Sequence, residues 1–435
     1  MILQLCNGNK NLIIKSTRLR ISDHNIKMSL KIATKLEVLN KIVDKIQRKD
    51  EIEQYNIYNT LFEKTFELIK SMKLVIYGGF ALNMLLPQVH KIYKYKSLPD
   101  IDVFSSSAKS DAMKISNALT QMGYKYVEVR AGVHKGTYKI YVEFQAIVDV
   151  TNVSKSLFTY LMRESIEKNG FNICPSEFLM WSLYKELARP QGSGFRWEKV
   201  FKRYIIFHRQ YKFKGVHPQI PWVSKFPEDS KLILSLKQII KSEKLLLTGI
   251  CGANMYLGLE LSVPFDILCE DIDKTFELIN NKMDNVLTLS KHPRRQLYEI
   301  SSNTGYIKHN NNVVCRLYET DACYSYTKFN GYTVGSIDTI LCFLYAKYIS
   351  CNNFKSDCTA MYKYYIYELE VYASNMIIEE RFKTKCQGYE TTVSDVRKVN
   401  WNNRVFRYRP IVPRKSKSPP YKDQSKTNNK KSKEI

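Results

Sequence analysis

The period of the apolar positions changes several times along the first half of the chain. Over residues 28–72 they recur at three- and four-residue spacing, in SLKIATKLEVLNKIVDKI and again in YNTLFEKTFELIKSM, which predicts helix. KLVIYGG (73–79) is a β-branched run closed by two glycines, a strand meeting a turn. FALNMLL reads as helix and LPDIDVF as a strand that begins at a proline. KSDAMKISNALTQMGY (109–124) is an amphipathic helix. Residues 125–130 and 138–151 read as strands, the second being YKIYVEFQAIVDVT. SLFTYLMRESIE, PSEFLMWSLYKELAR and WEKVFKRYIIFHRQY return to helical spacing. This mixed order predicts an α+β fold, a mixed sheet flanked by helices.

The pattern then repeats. KLVIYGGFALNML (73–85) aligns without a gap on KLLLTGICGANMY (244–256), with Lys73, Leu74, Gly78, Asn83 and Met84 recurring as Lys244, Leu245, Gly249, Asn254 and Met255. NGFNICPSEFLMWSLYKEL (169–187) aligns on NGYTVGSIDTILCFLYAKY (330–348), with Asn169, Gly170, Leu183 and Tyr184 recurring as Asn330, Gly331, Leu344 and Tyr345. Two matches in the same order predict one duplicated domain with small insertions.

Composition narrows the class. At 435 residues the chain is too long for one typical core. No apolar run approaches the roughly 18 residues a membrane span needs, and the basic N-terminal stretch is broken by Asn and Lys, so neither a span nor a signal peptide is expected. The net charge of +25 points to a polyanionic partner. Ten cysteines without a C-x-x-C pair, and seven scattered histidines, argue against zinc and predict reduced thiols in a cytosolic compartment. From Val412 onward the chain is lysine-rich with no apolar periodicity, which predicts a disordered basic tail.

The candidate chemistry lies in one ordered set. Asp100 and Asp102 are two residues apart, so on a strand both carboxylates face one side, about 6.6 Å apart along the chain, while Ile101 faces the core. Asp149 lies in AIVDV, a buried-type strand that can run beside the first. Each part alone has a plain reading: a solvated strand end, a default turn, a strand terminus. Three carboxylates converging on one face are unfavourable without cations, and two divalent ions about 3.5–4 Å apart would neutralise them and clamp the oxygens of a phosphoryl transfer. Gly78 and Gly79 at a strand-to-helix turn let backbone N–H groups approach a triphosphate.

Basic residues supply further candidates. In FRWEKVFKRY, Arg196, Lys199, Lys202 and Arg203 recur at helical spacing with Trp197 and Phe201 among them. They read either as a solvated face with an aromatic core side or as contacts to triphosphate or RNA backbone. Lys185 and Arg189 extend that surface. KIYKYK (91–96) and YKFKGVHPQIPW (211–222) interleave Lys with aromatics, a pattern that suits single-stranded nucleic acid or, equally, buried rings with exposed lysines.

YGGFALNMLL, PDIDVF and AIVDVT resemble the nucleotidyltransferase superfamily that includes DNA polymerase β and the poly(A) polymerases. The spacing from Asp102 to Asp149, and LYKELARPQGSGFRWEKVFKRYIIF, look like the poly(A) polymerase catalytic subunits of large cytoplasmic DNA viruses. The resemblance spans roughly residues 60–350 and implies a catalytic domain followed by a degenerate second domain of related fold. Gly78 and Gly79 match the family's turn, and Asp100, Asp102 and Asp149 match its metal-binding acids. The expected division is a helical region over 1–70, the catalytic domain over 71–225, the degenerate domain over 226–400 and the basic tail over 411–435. The LPQVHKIYKYKSL stretch before Asp100 departs from most relatives in its length. In the second copy an ungapped alignment sets Asp271 and Asp273 opposite Asp100 and Asp102, yet VPFDILCED reads as the strand, leaving those two acids as helix caps. Ile250 replaces Gly79, which removes the turn, and Glu319 and Asp321 are the nearest candidates for a third acid.

The resemblance implies transfer of AMP from ATP to the 3′ end of mRNA, with two Mg2+ or Mn2+ ions held by the three acids. Implied partners are single-stranded RNA and either a homodimer or a methyltransferase-like processivity subunit. The implied setting is the host cytoplasm, in the viral factory, and the virion. The rivals are another terminal nucleotidyltransferase, of uridylyl or CCA-adding type, and a non-catalytic RNA-binding scaffold.

Overall fold

A computed structural model of the chain describes residues 23–214, 230–292, 300, 303–320, 322–353, 358–390, 395 and 406–411. They fall into two compact units, Met1–Asn59 with Tyr95–Leu98, and Thr60–Lys94 with Pro99–Ile435. The first unit carries most of α1 (Asp23–Ser71), where Arg48 binds Glu51 and Ser97. Everything below concerns the second unit.

Its first half runs β1 (Val75–Tyr77), α2 (Gly78–Leu85), β2 (Ile101–Ser105), α3 (Ala108–Gln121), β3 (Glu128–Ala131), β4 (Thr137–Val142), β5 (Gln145–Asn152), α4 (Lys155–Arg163), β6 (Ile166–Lys168), β7 (Phe171–Ile173), α5 (Ser176–Leu187), α6 (Pro190–Ser193) and α7 (Trp197–Tyr211). Its second half runs α8 (Lys231–Ser242), β8 (Leu246–Leu247), α9 (Gly249–Leu257), β9 (Phe265–Cys269), α10 (Ile272–Asn281), β10 (Thr288–His292), β11 (Thr304–His309), β12 (Asn312–Glu319), β13 (Tyr324–Phe329), β14 (Tyr332–Gly335), α11 (Ile337–Asn353), α12 (Cys358–Asn375), α13 (Ile378–Arg381), β15 (Cys386–Gln387) and β16 (Arg407–Tyr408).

Two mixed sheets result, as the α+β reading expects. Their orders are β16-β3-β4-β5-β2-β1-β7-β6 and β10-β11-β12-β9-β8-β14-β13-β15. Apart from the added strands β16 and β15, the sheets have the same topology. In both, the first strand pairs antiparallel with the second and parallel with the hairpin strand preceding the long helix. The Asn-Gly repeats make the same turn: Asn169 and Gly170 have φ of 54° and 76°, Asn330 and Gly331 47° and 84°. Asn and Gly tolerate this left-handed backbone, which matches the twist of the hairpin strands.

Residues 138–151 form two strands rather than one. β4 turns into β5 at Glu143 and Phe144, which take φ of 51° and 71°. Neither residue carries a turn signal, so the hairpin is invisible to composition. The cysteine reading also changes. Cys323 is disulfide-bonded to Cys386 and Cys351 to Cys358, whereas Cys174, Cys251, Cys269, Cys315 and Cys342 are free and buried. β16 returns the chain to the first sheet, pairing with β3, with Arg407 and Arg409 on Glu128. The tail beyond it, 412–435, lies outside the described residues. Among the described residues no helix is long and apolar enough to cross a membrane.

The two halves join through the duplicated helices. Tyr184 on α5 and Tyr345 on α11 are equivalent in the repeat, and their rings stack at 5.5 Å. Both hydroxyls donate to Glu370 Oε1 of α12, at 3.0 and 2.8 Å, and His208 of α7 lies 3.2 Å from its other oxygen. All four side chains are largely buried; the Tyr345 hydroxyl donates to that one acceptor, while the Tyr184 hydroxyl also has the Tyr204 hydroxyl at 3.1 Å. Glu370→Ala should therefore destabilise the protein by about 1–3 kcal/mol, because the buried Tyr345 hydroxyl loses its acceptor while that of Tyr184 keeps Tyr204. Thermal unfolding of the two variants is the check: Glu370→Ala melting several degrees lower and Glu370→Gln less, while an unchanged melting temperature would show that the joint contributes nothing.

Candidate active site

The site begins at the end of β1. Gly78 adopts φ +69°, and a methyl group there would lie 2.5 Å from Asp102 Oδ2. Only glycine tolerates both the backbone and the approach. Gly79 is already helical, and its missing side chain leaves room for others: a methyl would meet Arg203 Nη2 at 2.7 Å and the Tyr93 hydroxyl at 2.8 Å.

β2 and β5 run parallel with Asp102 directly opposite Asp149, and Tyr77 on β1 opposite Asp102 on its other side. Asp100 stands just before β2. A cavity of about 240 Å³ is lined by Gly79, Tyr93, Asp100, Asp102, Lys139, Asp149, Arg196, Lys199 and Arg203, with neighbouring residues of β2 and β5. All three predicted acids thus face one space. Of the predicted basic residues, Lys199 and Arg203 on one face of α7 join them, together with Arg196 at the residue just before that helix. Lys202 is turned away and exposed, paired with Glu198 at 2.6 Å. Lys185 lies over the Trp181 ring, and Arg189 pairs with Glu390. These three do not reach the cavity. The other face of α7 is the aromatic core side, where Trp197 and Phe201 pack on Phe382 at 5.2 and 5.1 Å.

Of the two Lys-aromatic stretches, the first contributes Tyr93 to the cavity. In the second, Phe213 stacks on Tyr345 and packs at a tilt against Tyr348; residues 215–222 lie outside the described residues.

Lys139 was not anticipated. It pairs across the β4–β5 hairpin with Asp149 and forms an ion pair with it. Recognising that hairpin would have placed it, since cross-strand neighbours share a face.

Electrostatics mark the site. Burial, then repulsion from Asp149 and Asp100, push the Asp102 carboxyl up to about 7, with Lys139 and Arg203 pulling the other way. Burial also raises Asp149, which Lys139 partly offsets. Tyr93 is raised by burial, and its hydroxyl, enclosed in the cavity wall, has no hydrogen-bond partner among the described residues. Among the described residues no three His, Cys, Asp or Glu side chains form a ready metal cluster. The donors nevertheless suit a hard divalent cation, being carboxylates whose mutual repulsion leaves one of them reluctant to ionise.

The second sheet carries the counterpart, displaced from the ungapped alignment. Thr248 pairs with Asp266 as Tyr77 does with Asp102, and a methyl on Gly249 would lie 2.5 Å from Asp266 Oδ2. Asp266, not Asp271 or Asp273, therefore occupies the position of Asp102. Asp271 caps α10, accepting from Lys274 N at 3.0 Å, and Asp273 lies in its first turn, as the cap reading expects. The turn itself survives in Gly249, at φ +55°. What Ile250 removes is the open space of Gly79. Opposite Asp266, where Asp149 would be, stands Arg316, 2.7 Å from Asp266 Oδ1. Tyr318 donates to the same carboxylate at 2.9 Å and the Ile250 N–H at 3.1 Å. Burial works against the charge on Arg316, but Asp266 holds its pKa well above the usual value. Glu319 at the strand end accepts from Asn303, and Asp321 lies outside the described residues.

Residues 63–193 match the poly(A) polymerase catalytic subunit family. The resemblance read from the sequence is borne out. The chain is 25% identical over 336 residues to an Acanthamoeba polyphaga mimivirus protein provisionally named a poly(A) polymerase catalytic subunit, a match covering 67% of this chain and 55% of that protein. The chain thus spans about half the length of the curated relative. The Megavirus polyadenylate synthase crystal structure superposes with a TM-score of 0.73 at 18% identity, covering 93% of this chain and 88% of that one. The superposition shows that the chain shares the fold of that protein.

Two outcomes test this electrostatic account. In chelator, folded Asp102 keeps its proton up to about pH 7, whereas an unfolded carboxyl releases it near pH ~4. Asp102 therefore makes stability fall as pH rises across that window and level off above it. Asp102→Asn should flatten the fall and melt above wild type at the alkaline end, while Mn2+ should raise the wild-type melting temperature more than the variant's. Equal melting curves would remove the repulsion from the picture. In the second sheet, Arg316→Met should destabilise by about 3–5 kcal/mol, because Asp266 is left buried and uncompensated. Adding Asp266→Asn should restore part of that loss in urea unfolding; additive losses would contradict the pairing.

Proposed function

We propose that the chain is a template-independent poly(A) polymerase that transfers AMP from ATP to the 3′-hydroxyl of an RNA. The observation that carries this reading is the direct pairing of Asp102 with Asp149 on adjacent strands, facing the basic side of α7 across one cavity. Asp100, Asp102 and Asp149 would hold the divalent ions. When bound, such ions lower the pKa of the attacking hydroxyl and neutralise charge on the phosphoryl oxygens.

The chain's own groups do the rest. Arg196, Lys199 and Arg203 present three positive charges at one-turn intervals toward the triphosphate, where charge grows as pyrophosphate departs. Gly79 leaves the space that an approaching phosphate requires. Tyr93 offers an unpartnered hydroxyl for a polar group of the nucleotide. Lys139 offsets Asp149 so that the acids can coexist in the buried site. The RNA 3′-hydroxyl releases its proton to solvent as its oxygen forms a bond to the α-phosphorus, the α–β phosphoanhydride bond breaks, and pyrophosphate leaves. The second sheet, with Arg316 in place of an acid, has no part in the chemistry. The resemblance also suggests a homodimer or a methyltransferase-like processivity subunit, and a setting in the host cytoplasm.

The decisive experiment incubates the full chain with labelled single-stranded RNA, Mg2+ or Mn2+, and each nucleoside triphosphate in turn. ATP should support extension well above the others, and Asp102→Ala should reduce it at least about 1000-fold with the fold intact, the size of loss expected when a group acting directly on the reacting phosphoryl is removed. Preference for UTP would favour the uridylyl rival. Extension by Asp102→Ala at wild-type rate would remove the site assignment.

A further inference from the structure

A cavity of about 920 Å³ opens in the second domain, and the chemistry above makes no use of it. One wall is the strap over residues 381–390. Buried ion pairs pin it at both ends: Arg381 to Asp338 at 2.7 Å, and Glu390 to Arg189 of the first domain. Glu390 also accepts from the Cys323 N–H at 3.2 Å. Between the pins, β15 pairs with β13, and Cys386 is disulfide-bonded to Cys323 across that pairing. Gly388 takes φ +105° against the Ala322 carbonyl, where a side chain would collide. A two-residue strand held by five separate devices is a rigid wall, not a loose surface segment.

That wall presents Lys383 and Lys385. Lys328 projects from β13, and Lys244 stands in the turn before β8. Among the described residues none of the four forms an ion pair, although Lys383 reaches the Glu379 carbonyl at 3.2 Å. Glu270 and Glu379 also line the cavity, and Glu270 already accepts from the Gly388 N–H at 3.2 Å. Positive charge therefore exceeds negative by four side chains to two. Tyr326 and Phe382 add ring faces. Lysines spaced among half-buried rings are what a flexible, single-stranded polyanion requires: ammonium groups for phosphates and faces on which bases stack. The location fits as well. Phe382 packs on Trp197 and Phe201, so one helix, α7, separates this groove from the cavity that its other face lines with Arg196, Lys199 and Arg203.

We propose that this groove binds the backbone of the single-stranded RNA upstream of the 3′ end engaged at the acid cavity, an inference that rests on the RNA-extending function proposed above. The degenerate domain would thereby keep a role as the primer-holding half of the enzyme. The test is fluorescence anisotropy of a labelled single-stranded oligoribonucleotide on the full chain without nucleotide, across a range of salt. The triple variant Lys328→Ala/Lys383→Ala/Lys385→Ala should bind at least about 10-fold more weakly, and its slope of log K against log salt should be shallower by about 2, at roughly 0.7 per lost phosphate contact. Single-nucleotide addition at saturating primer should be unchanged. Tyr326→Ala should weaken binding without altering the slope, since stacking releases no counterions. A control removing three exposed lysines elsewhere, Lys64→Ala/Lys125→Ala/Lys274→Ala, should move the slope little. If the groove variant keeps the wild-type slope while wild type binds and extends RNA, or if the control loses as much, the groove is not the site. A wild type that neither binds nor extends RNA would instead overturn the function on which the inference rests.

Discussion

Two carboxylates placed side by side on neighbouring strands repel each other, and the rest of the molecule is arranged around that repulsion. Asp102 and Asp149 face each other across the β2–β5 pairing, with Asp100 close by. Burial strengthens their interaction, because water no longer screens it. The fold answers with cations on three sides: Lys139 from the hairpin partner of β5, Arg203 from α7, and the proposed divalent ions between. Gly78 permits the approach from below, since any side chain there would strike Asp102. A protein that needed only stability would not retain such a cluster. The phosphoryl transfer proposed above would make use of it.

The second sheet shows the same constraint met in another way. Its backbone keeps the turn, the register and the first acid, Asp266. In the position equivalent to Asp149, Arg316 supplies a permanent positive charge. The first sheet thus holds a repulsive pair that calls for an external cation, and the second an attractive pair that carries its own. Ile250 then fills the space that Gly79 leaves open. In this half the counterpart of the acid pair carries its own neutralising charge, and the space beside the turn is filled.

The joint between the halves reuses the repeat. Tyr184 and Tyr345, equivalent positions in the two copies, stack on each other and share Glu370. α7 runs from this joint to the acid cavity: His208 and Tyr204 belong to the buried network, while Arg203, Lys199 and Arg196 line the site. The positions of three cavity cations therefore depend on packing against the second half, which gives that half a structural reason to persist.

Local chemistry was enough to reveal the acids, the glycine turn, the α+β class and the duplication. Each depends on residues close in sequence: a two-residue spacing on a strand, a β-branched run ending in Gly-Gly, an Asn-Gly turn before an apolar helix. Family likeness was readable for the same reason, because its motifs are short and contiguous. What only the tertiary structure decided involves partners far apart in sequence. Lys139 was missed because the turn at Glu143 and Phe144 has no signal of its own, so one strand was read where there are two. Of the basic residues on and near α7, only three reach the site, and which three depends on which face the aromatic side chains bury. The ungapped repeat pointed to Asp271 and Asp273, whereas strand pairing chose Asp266, because register is set by hydrogen bonds between strands and shifts with every insertion in a loop. Likewise, the pairing of Cys323 with Cys386 and the return of β16 to the first sheet join residues that no local pattern connects. Periodicity records what each segment buries; it does not record against what.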